Sequence, residues 1–202
     1  RAPKVEAGQR SIAVLTFTNV TRDAADDWIG TGIAETVTAD LKNVQNLAVI
    51  ARGQISELLN SMRRSESGSD QLPNEIGRRL GAWWVLSGAY QRLGDRIRVT
   101  VQLTEVLTGK LIRTVKLDGR VDEIFELQDR IVFDVSRGLD LKLGKEDAEA
   151  IEKDETRSVE AFEAYSRGVL NLRSASRESM DRAISLFERA ITLDPAYATA
   201  WS

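Results

Sequence analysis

The chain has no cysteine and no histidine among its 202 residues. Those absences exclude a thiol nucleophile, a histidine general base, a Ser-His-Asp triad and every Cys/His zinc site. Disulfides are excluded as well, although a domain of this size folds without them. Proline occurs three times and aromatic residues make up 6%. No apolar run approaches the roughly 20 residues a membrane helix needs. No signal peptide is visible, and no basic excess exists, since the net charge is -3. An overall field favouring nucleic acid is therefore missing. Carboxylates, lysines, tyrosines and hydroxyls remain for chemistry, and none forms an evident catalytic cluster.

What is present is ordinary globular composition, 42% hydrophobic and 29% charged, enough for one domain and part of another. The chain opens at Arg1 and closes at Ser202 inside a helical pattern. Both ends read as cut points, with an anchor or partner domain expected beyond them. Residues 1–10 are a polar lead-in. Ser11 to Phe17 is a short β-rich apolar run, read as a buried strand. Residues 18–27 form a polar loop. Ile29, Ile33, Val37, Leu41 and Val44 then recur every three or four positions, which predicts a helix over 28–43. Asp26 or Asp27 is its expected N-cap. Leu47 to Ile50 is a second strand, and the order strand, helix, strand implies a parallel crossover.

A second helix is expected over 52–62. The tract 63–70 is a polar loop. A short helix runs from Pro73 to Gly81. Trp83 to Tyr90, Arg96 to Leu103 and Leu111 to Leu117 read as three strands of a meander, joined by turns at Gly94-Asp95 and Thr108-Gly109-Lys110. Trp83 and Trp84 point to opposite faces, so at least one is core. A long helix follows Asp122, with Glu123 and Glu126 favouring its first turn. The fold class is therefore α/β, with a mixed sheet of about five strands in the order β-α-β-α-α-β-β-β-α. Residues 11–141 form this domain, and the charged stretch 142–158 reads as a linker.

Residues 159–202 carry the most specific pattern. Ala183-x-x-x-Phe187, then Ala190 and Pro195, preceded by Tyr165 and Gly168, is similar to a tetratricopeptide repeat. The alanines let two helices approach, Phe187 fills the space between them, and Pro195 ends the second helix. The expected result is an all-α hairpin, with Ser174 to Ser176 as its turn and Ala196 to Ser202 opening a truncated second repeat. An incomplete repeat exposes an apolar helix face, which predicts concentration-dependent homodimers.

Two sites invite a functional reading. DDWIGTGIAET (26–36) has paired glycines at a helix start. About ten residues separate Phe17 from Trp28, no lysine follows, and Asp23, Asp26 and Asp27 would repel phosphate; a nucleotide cradle is rejected. The glycines instead allow a close approach to a neighbouring strand. Asp23, Asp26, Asp27 and Trp28 remain a candidate site for a cation or amine. Arg92, Arg96, Arg98, Lys110, Arg113 and Lys116 lie along the meander. They read as a solvated sheet face, because no aromatics are interleaved as a nucleic-acid face would need.

The ordered segments IAVLTFTN (12–19), DDWIGTGIAETVTADL (26–41), LAVIAR (47–52), GAWWVLSGAY and GDRIRVTVQL (within 81–103), TGKL (108–111) and IFELQDRI (124–131), followed by the repeat, resemble the TolB amino-terminal-like domain joined to tetratricopeptide repeats. In bacteria that arrangement often follows a cyclase, a protein kinase or a winged-helix regulator. Two departures stand out: Thr16 replaces the usual proline, and Ile29-Gly30 replaces an aromatic-aspartate pair. The resemblance implies a non-catalytic adaptor of a signalling or envelope-assembly protein, binding protein partners through the repeat. It needs no cofactor or metal and binds no nucleic acid. The implied location is periplasmic or membrane-tethered facing the periplasm, with the cytoplasm as the alternative. The other class is a small-molecule sensor, with a site near loop 18–27 and Trp28.

Overall fold

The computed structural model describes residues 10–65, 73–153, 156–173, 176–197 and 200. The lead-in 1–9, most of the loop expected over 63–70, the turn residues 174–175 and most of the residues expected to open a second repeat lie outside them. β1 (Ser11–Val14), β2 (Thr18–Asn19), β3 (Ala48–Val49), β4 (Trp84–Leu93), β5 (Arg96–Glu105) and β6 (Leu111–Arg120) make one mixed sheet. The spatial order is β3-β1-β4-β5-β6, with β2 pairing further along β4. β3, β1 and β4 run parallel, as the crossover pattern required, while β4, β5 and β6 form an antiparallel meander. The helices are α1 (Asp27–Asn43), α2 (Arg52–Ser65), α3 (Pro73–Leu80), α4 (Ile124–Gly138), α5 (Lys145–Ile151), α6 (Val159–Leu172) and α7 (Arg177–Leu193).

The sheet holds six strands among the described residues, not about five. The extra one arises because β1 stops at Val14. Leu15 N–H still donates to the Leu86 carbonyl, but Phe17 N–H turns away to the Gly30 carbonyl. Phe17 tucks beneath Gly88, whose missing side chain leaves the space. The chain then rejoins β4 as β2, inside the segment expected to be all loop. The expected linker 142–158 also contains a helix, α5. Its residues KEDAEAI favour helix, the Asp147 carboxylate accepts from Gly144 N–H at 2.8 Å, and Ile151 is buried.

One sheet face packs on α1 and α4. Its alternation follows the sequence: Ile97, Val99, Val101, Leu103 and Leu117 are buried, whereas Arg98, Gln102, Thr114, Lys116 and Asp118 lie on the open face. A second apolar cluster, including Ala13, Ile55, Ile76 and Val85, seats α2 and α3 on the other side of β1 and β4. Of the adjacent tryptophans, Trp84 is core and Trp83 is 48% exposed. The meander arginines are largely paired: Arg92 with Asp26, Arg98 with Asp118 and Arg113 with Asp134.

Tyr90 ties this sheet to the start of α1. It is buried, and its hydroxyl donates to the Asp26 carbonyl at 2.8 Å. Burial, then the negative charge of Asp27, pushes its pKa above the usual tyrosine range. The fold therefore favours the neutral phenol. That contribution is present below the unfolded pKa of about 10 and is lost as pH rises beyond it. We expect wild-type stability to fall above about pH 10. Tyr90→Phe should cost about 1 kcal/mol at neutral pH, because the Asp26 carbonyl loses its donor, and should flatten the alkaline fall. Urea midpoints at neutral and alkaline pH check this; equal alkaline losses in both proteins would contradict it.

Candidate protein-interaction site

The carboxy-terminal helices form an antiparallel hairpin with a small-residue seam. Ala183 and Ala190 of α7 are fully buried. A Cβ on Gly168 would lie 2.5 Å from the Phe187 ring, so glycine alone admits that ring here. Tyr165 packs on Phe187 and on Tyr197, with centroids 5.7 and 5.2 Å apart. Pro195 sits in the turn after α7, whose last residues are tied back: Thr156 Oγ1 donates to Asp194 Oδ2 at 2.5 Å. Ser158 and Ser176 cap α6 and α7, each accepting an N–H from three residues on.

This hairpin is seated on α1. The phenyl ring of Phe162 meets Trp28 edge-on at 6.0 Å and Phe125 of α4 at 5.3 Å. Such pairs contribute about 0.5–1.5 kcal/mol each beyond area burial. A Cβ on Gly32 would stand 2.6 Å from both the Phe162 ring and Ser166 Oγ, so α1 and α6 touch closely there. Gly30 serves the opposite side. Its Cβ would fall 2.1 Å from the Phe17 carbonyl, just beyond β1. The expected contact with a neighbouring strand thus holds for Gly30, whereas Gly32 faces a helix. One apolar core runs without a break from Ile12 through Phe162 to Ala190.

Polar contacts fix the same joint. Arg167 donates through Nη2 to the Ala25 carbonyl at 2.5 Å and through Nε to Glu163. Arg173 donates to Thr16 Oγ1 at 2.8 Å. That hydroxyl also accepts from Arg52, which bonds the Val14 carbonyl and Glu35 as well. Proline at position 16 would offer no such acceptor. Beside the joint, a cavity of about 230 Å³ lies between α1, Ile151, Tyr165 and Tyr197.

The acidic segment is brought together at the mouth of α1, where each carboxylate has a partner in the chain, Asp26 buried and Asp23 and Asp27 exposed. Asp23 accepts from Ala25 N–H. Asp26 pairs with Arg92 at 2.7 Å and Asp27 accepts from Asn19 Nδ2 at 2.9 Å. Trp28 is buried in the core. Among the described residues no group of acids is spaced to hold a metal ion. The outer side of the hairpin is open, with Leu172, Met180 and Ile184 about half exposed; Leu93 and Leu107, at the turns of the meander, are more exposed still. Sequence reasoning missed Phe162, Thr16, Arg167 and Arg173. The aromatic at 162, three residues before Tyr165, was a readable signal; the arginines, paired with residues more than a hundred positions away, left none.

Ser166 is wholly buried at this joint, and its hydroxyl has no hydrogen-bond partner among the described residues. We expect Ser166→Ala to be neutral or stabilising by up to about 1 kcal/mol. Gly32→Ala should cost about 1–3 kcal/mol and speed proteolysis between α5 and α6. Chemical denaturation and limited proteolysis test both; a loss with Ser166→Ala as large as with Gly32→Ala would contradict the packing described.

No protein-family model matches the chain. A Rhizobium meliloti protein bearing the name "Putative adenylate cyclase 3" is 28% identical over 190 residues, covering 94% of this chain and 31% of that protein. The chain thus spans about a third of that relative's length. Among solved structures, TolB from Acinetobacter baumannii is similar over 64% of this chain and 28% of its own, at 16% identity and a TM-score of 0.46. The lipoprotein GNA1162 from Neisseria meningitidis is similar over 64% of this chain and 99% of its own, at 16% identity and a TM-score of 0.47. The LpoB carboxy-terminal domain from Escherichia coli is similar over 55% of this chain and 82% of its own, at 22% identity and a TM-score of 0.43.

Proposed function

We propose that this chain is a non-catalytic protein-interaction module of a bacterial signalling or envelope protein. In this reading residues 11–141 are a rigid base, and the hairpin within 159–202 is a tetratricopeptide-like unit that docks a protein partner. The observation that carries it is the asymmetry of the hairpin. Its α6 side is consumed by Trp28, Gly32 and Phe125, while α7 turns Met180 and Ile184, one helical turn apart, to solvent. A fixed helix with an open apolar edge suits a partner helix laid alongside it.

A signalling role is supported by the alignment of nearly the whole chain with one part of a longer protein named as a cyclase. Cyclase chemistry is not carried over to this segment, because it aligns with 31% of that longer protein. The segments resembling TolB amino-terminal-like domains support a membrane-tethered protein facing the periplasm. The sensor alternative is the weaker reading, because Asp23, Asp26 and Asp27 each have a partner within the protein and Trp28 is buried.

A photo-reactive amino acid at Ile184, introduced into the intact protein in its bacterium, tests the reading. We expect one discrete crosslinked partner from position 184 and none from Gln102 on the open sheet face. Ile184→Glu, with an unchanged melting temperature, should reduce partner recovery at least about tenfold, the scale of a hot-spot residue. No crosslink, or equal crosslinking from both positions, would refute it.

A further inference from the structure

β6 is a ten-residue strand at the edge of the sheet, and among the described residues no strand pairs with its outer side. Its outward N–H and C=O groups are therefore a ready template for another strand. The outward-facing side chains decide which. On the open sheet face β6 carries Thr114, Lys116, Asp118 and Arg120; on the core face it carries Val115, Leu117 and Gly119.

An antiparallel partner that keeps both cores on the same side of a continuous sheet must match like faces. If that partner is a second β6 and the two-fold axis passes at Leu117, Lys116 stands opposite Asp118 of the other copy, and the same pair recurs across the axis. Thr114 then meets Arg120, and Val115 meets Gly119, whose missing side chain cedes its place to Leu127 and Glu123. Moving the axis by one residue places Lys116 against Lys116 or Asp118 against Asp118. The charge pattern thus favours one register over its neighbours, and opposite charges directly across a strand pair are stabilising while like charges are not. Asp118 is already paired within its own chain, to Arg98 of β5 at 2.6 and 3.1 Å on the same face, and its exposed carboxylate would add Lys116 of the second copy to that pair.

We propose that β6 is a homodimer interface, in which two chains join edge to edge in the register centred on Leu117 and extend the sheet across the two-fold axis. The occupant is a second copy because the strand is complementary in charge to itself.

The absence of cysteine makes the register directly testable. Light scattering across a concentration series should show a monomer–dimer equilibrium. Lys116→Asp, at an exposed position, turns two attractive pairs into repulsive ones and should weaken the dimer roughly tenfold with an unchanged circular dichroism spectrum. In a second test, Lys116→Cys and Asp118→Cys chains are mixed under oxidising conditions. They should form a disulfide-linked heterodimer faster than either variant links to itself. A monomer at the highest concentration, a dimer indifferent to Lys116→Asp, or equal self-linking of the single variants would each overturn the proposal. Loss of the dimer on Ile184→Glu, with none on Lys116→Asp, would move the interface to α7.

Discussion

The close approach of α1 to two different neighbours governs this structure. Gly30 lies against the Phe17 carbonyl and Gly32, two residues on, lies against the Phe162 ring. Positions two apart on a helix differ by about 200°, so the two glycines face opposite sides. One lets α1 sit down on the sheet. The other lets α6 sit down on α1. Glycine in a helix costs about 1 kcal/mol each relative to alanine, and here that cost is offset by burial of Trp28, Phe162 and Phe125 in a single core. The pair that looks like a phosphate-binding turn in the sequence is in fact a two-sided spacer.

Polar groups follow the same joint. Thr16 accepts from Arg52 and Arg173, and Arg167 reaches the Ala25 carbonyl. These bonds end on groups outside the strands: residues 16 and 17 diverge from β4, and residues 24–26 form a short 3-10 turn. Where β1 stops, the Val14 carbonyl accepts from Arg52 of α2, and the Thr16 hydroxyl just beyond it accepts from Arg52 and Arg173, so side chains from later helices hold the turn. Asp26 has an analogous position. Its carbonyl serves Tyr90, its carboxylate serves Arg92, and β4 is thereby held to the start of α1. Asp26 is thus a structural tie within loop 18–27, while Asp23 and Asp27 lie on its exposed side.

Much of the fold was legible in the sequence because its signals are local. The alternation of Arg96 to Leu103, the turn at Gly94-Asp95 and the apolar spacing of Ile29 to Leu41 each specify an element without outside help. Gly168 and Phe187 were each legible as repeat-like positions, but their contact was not, since the spacing between the two helices is about three residues longer than the usual repeat. Three further things were not legible. β2 is two residues long and exists only because Phe17 diverts the chain. α5 is charged and was read as linker, although Ile151 anchors it to the core. The partner of Gly32 lies about 130 residues away, at a separation where a lone glycine carries no directional information. Of the candidate site, the hairpin was readable and its seat was not.

That seat changes where a partner can bind. A helical hairpin free in solution offers both of its faces. Here the inner side of α6 is filled by α1 and α4, and the remaining cavity beside Tyr165 and Tyr197 holds about 230 Å³, less than a typical small-molecule pocket. Of the surfaces left, two are proposed for partners: α7 and the unpaired edge of β6. The two surfaces differ in kind. α7 offers apolar side chains at helical spacing, which suits a different protein. β6 offers backbone groups and a self-complementary charge pair, which suits another copy. Because they lie on separate elements, a chain joined to its copy through β6 still has α7 free. Two α7 edges would then act from one rigid base, and linking two sites in this way raises apparent affinity by effective concentration without any new contact.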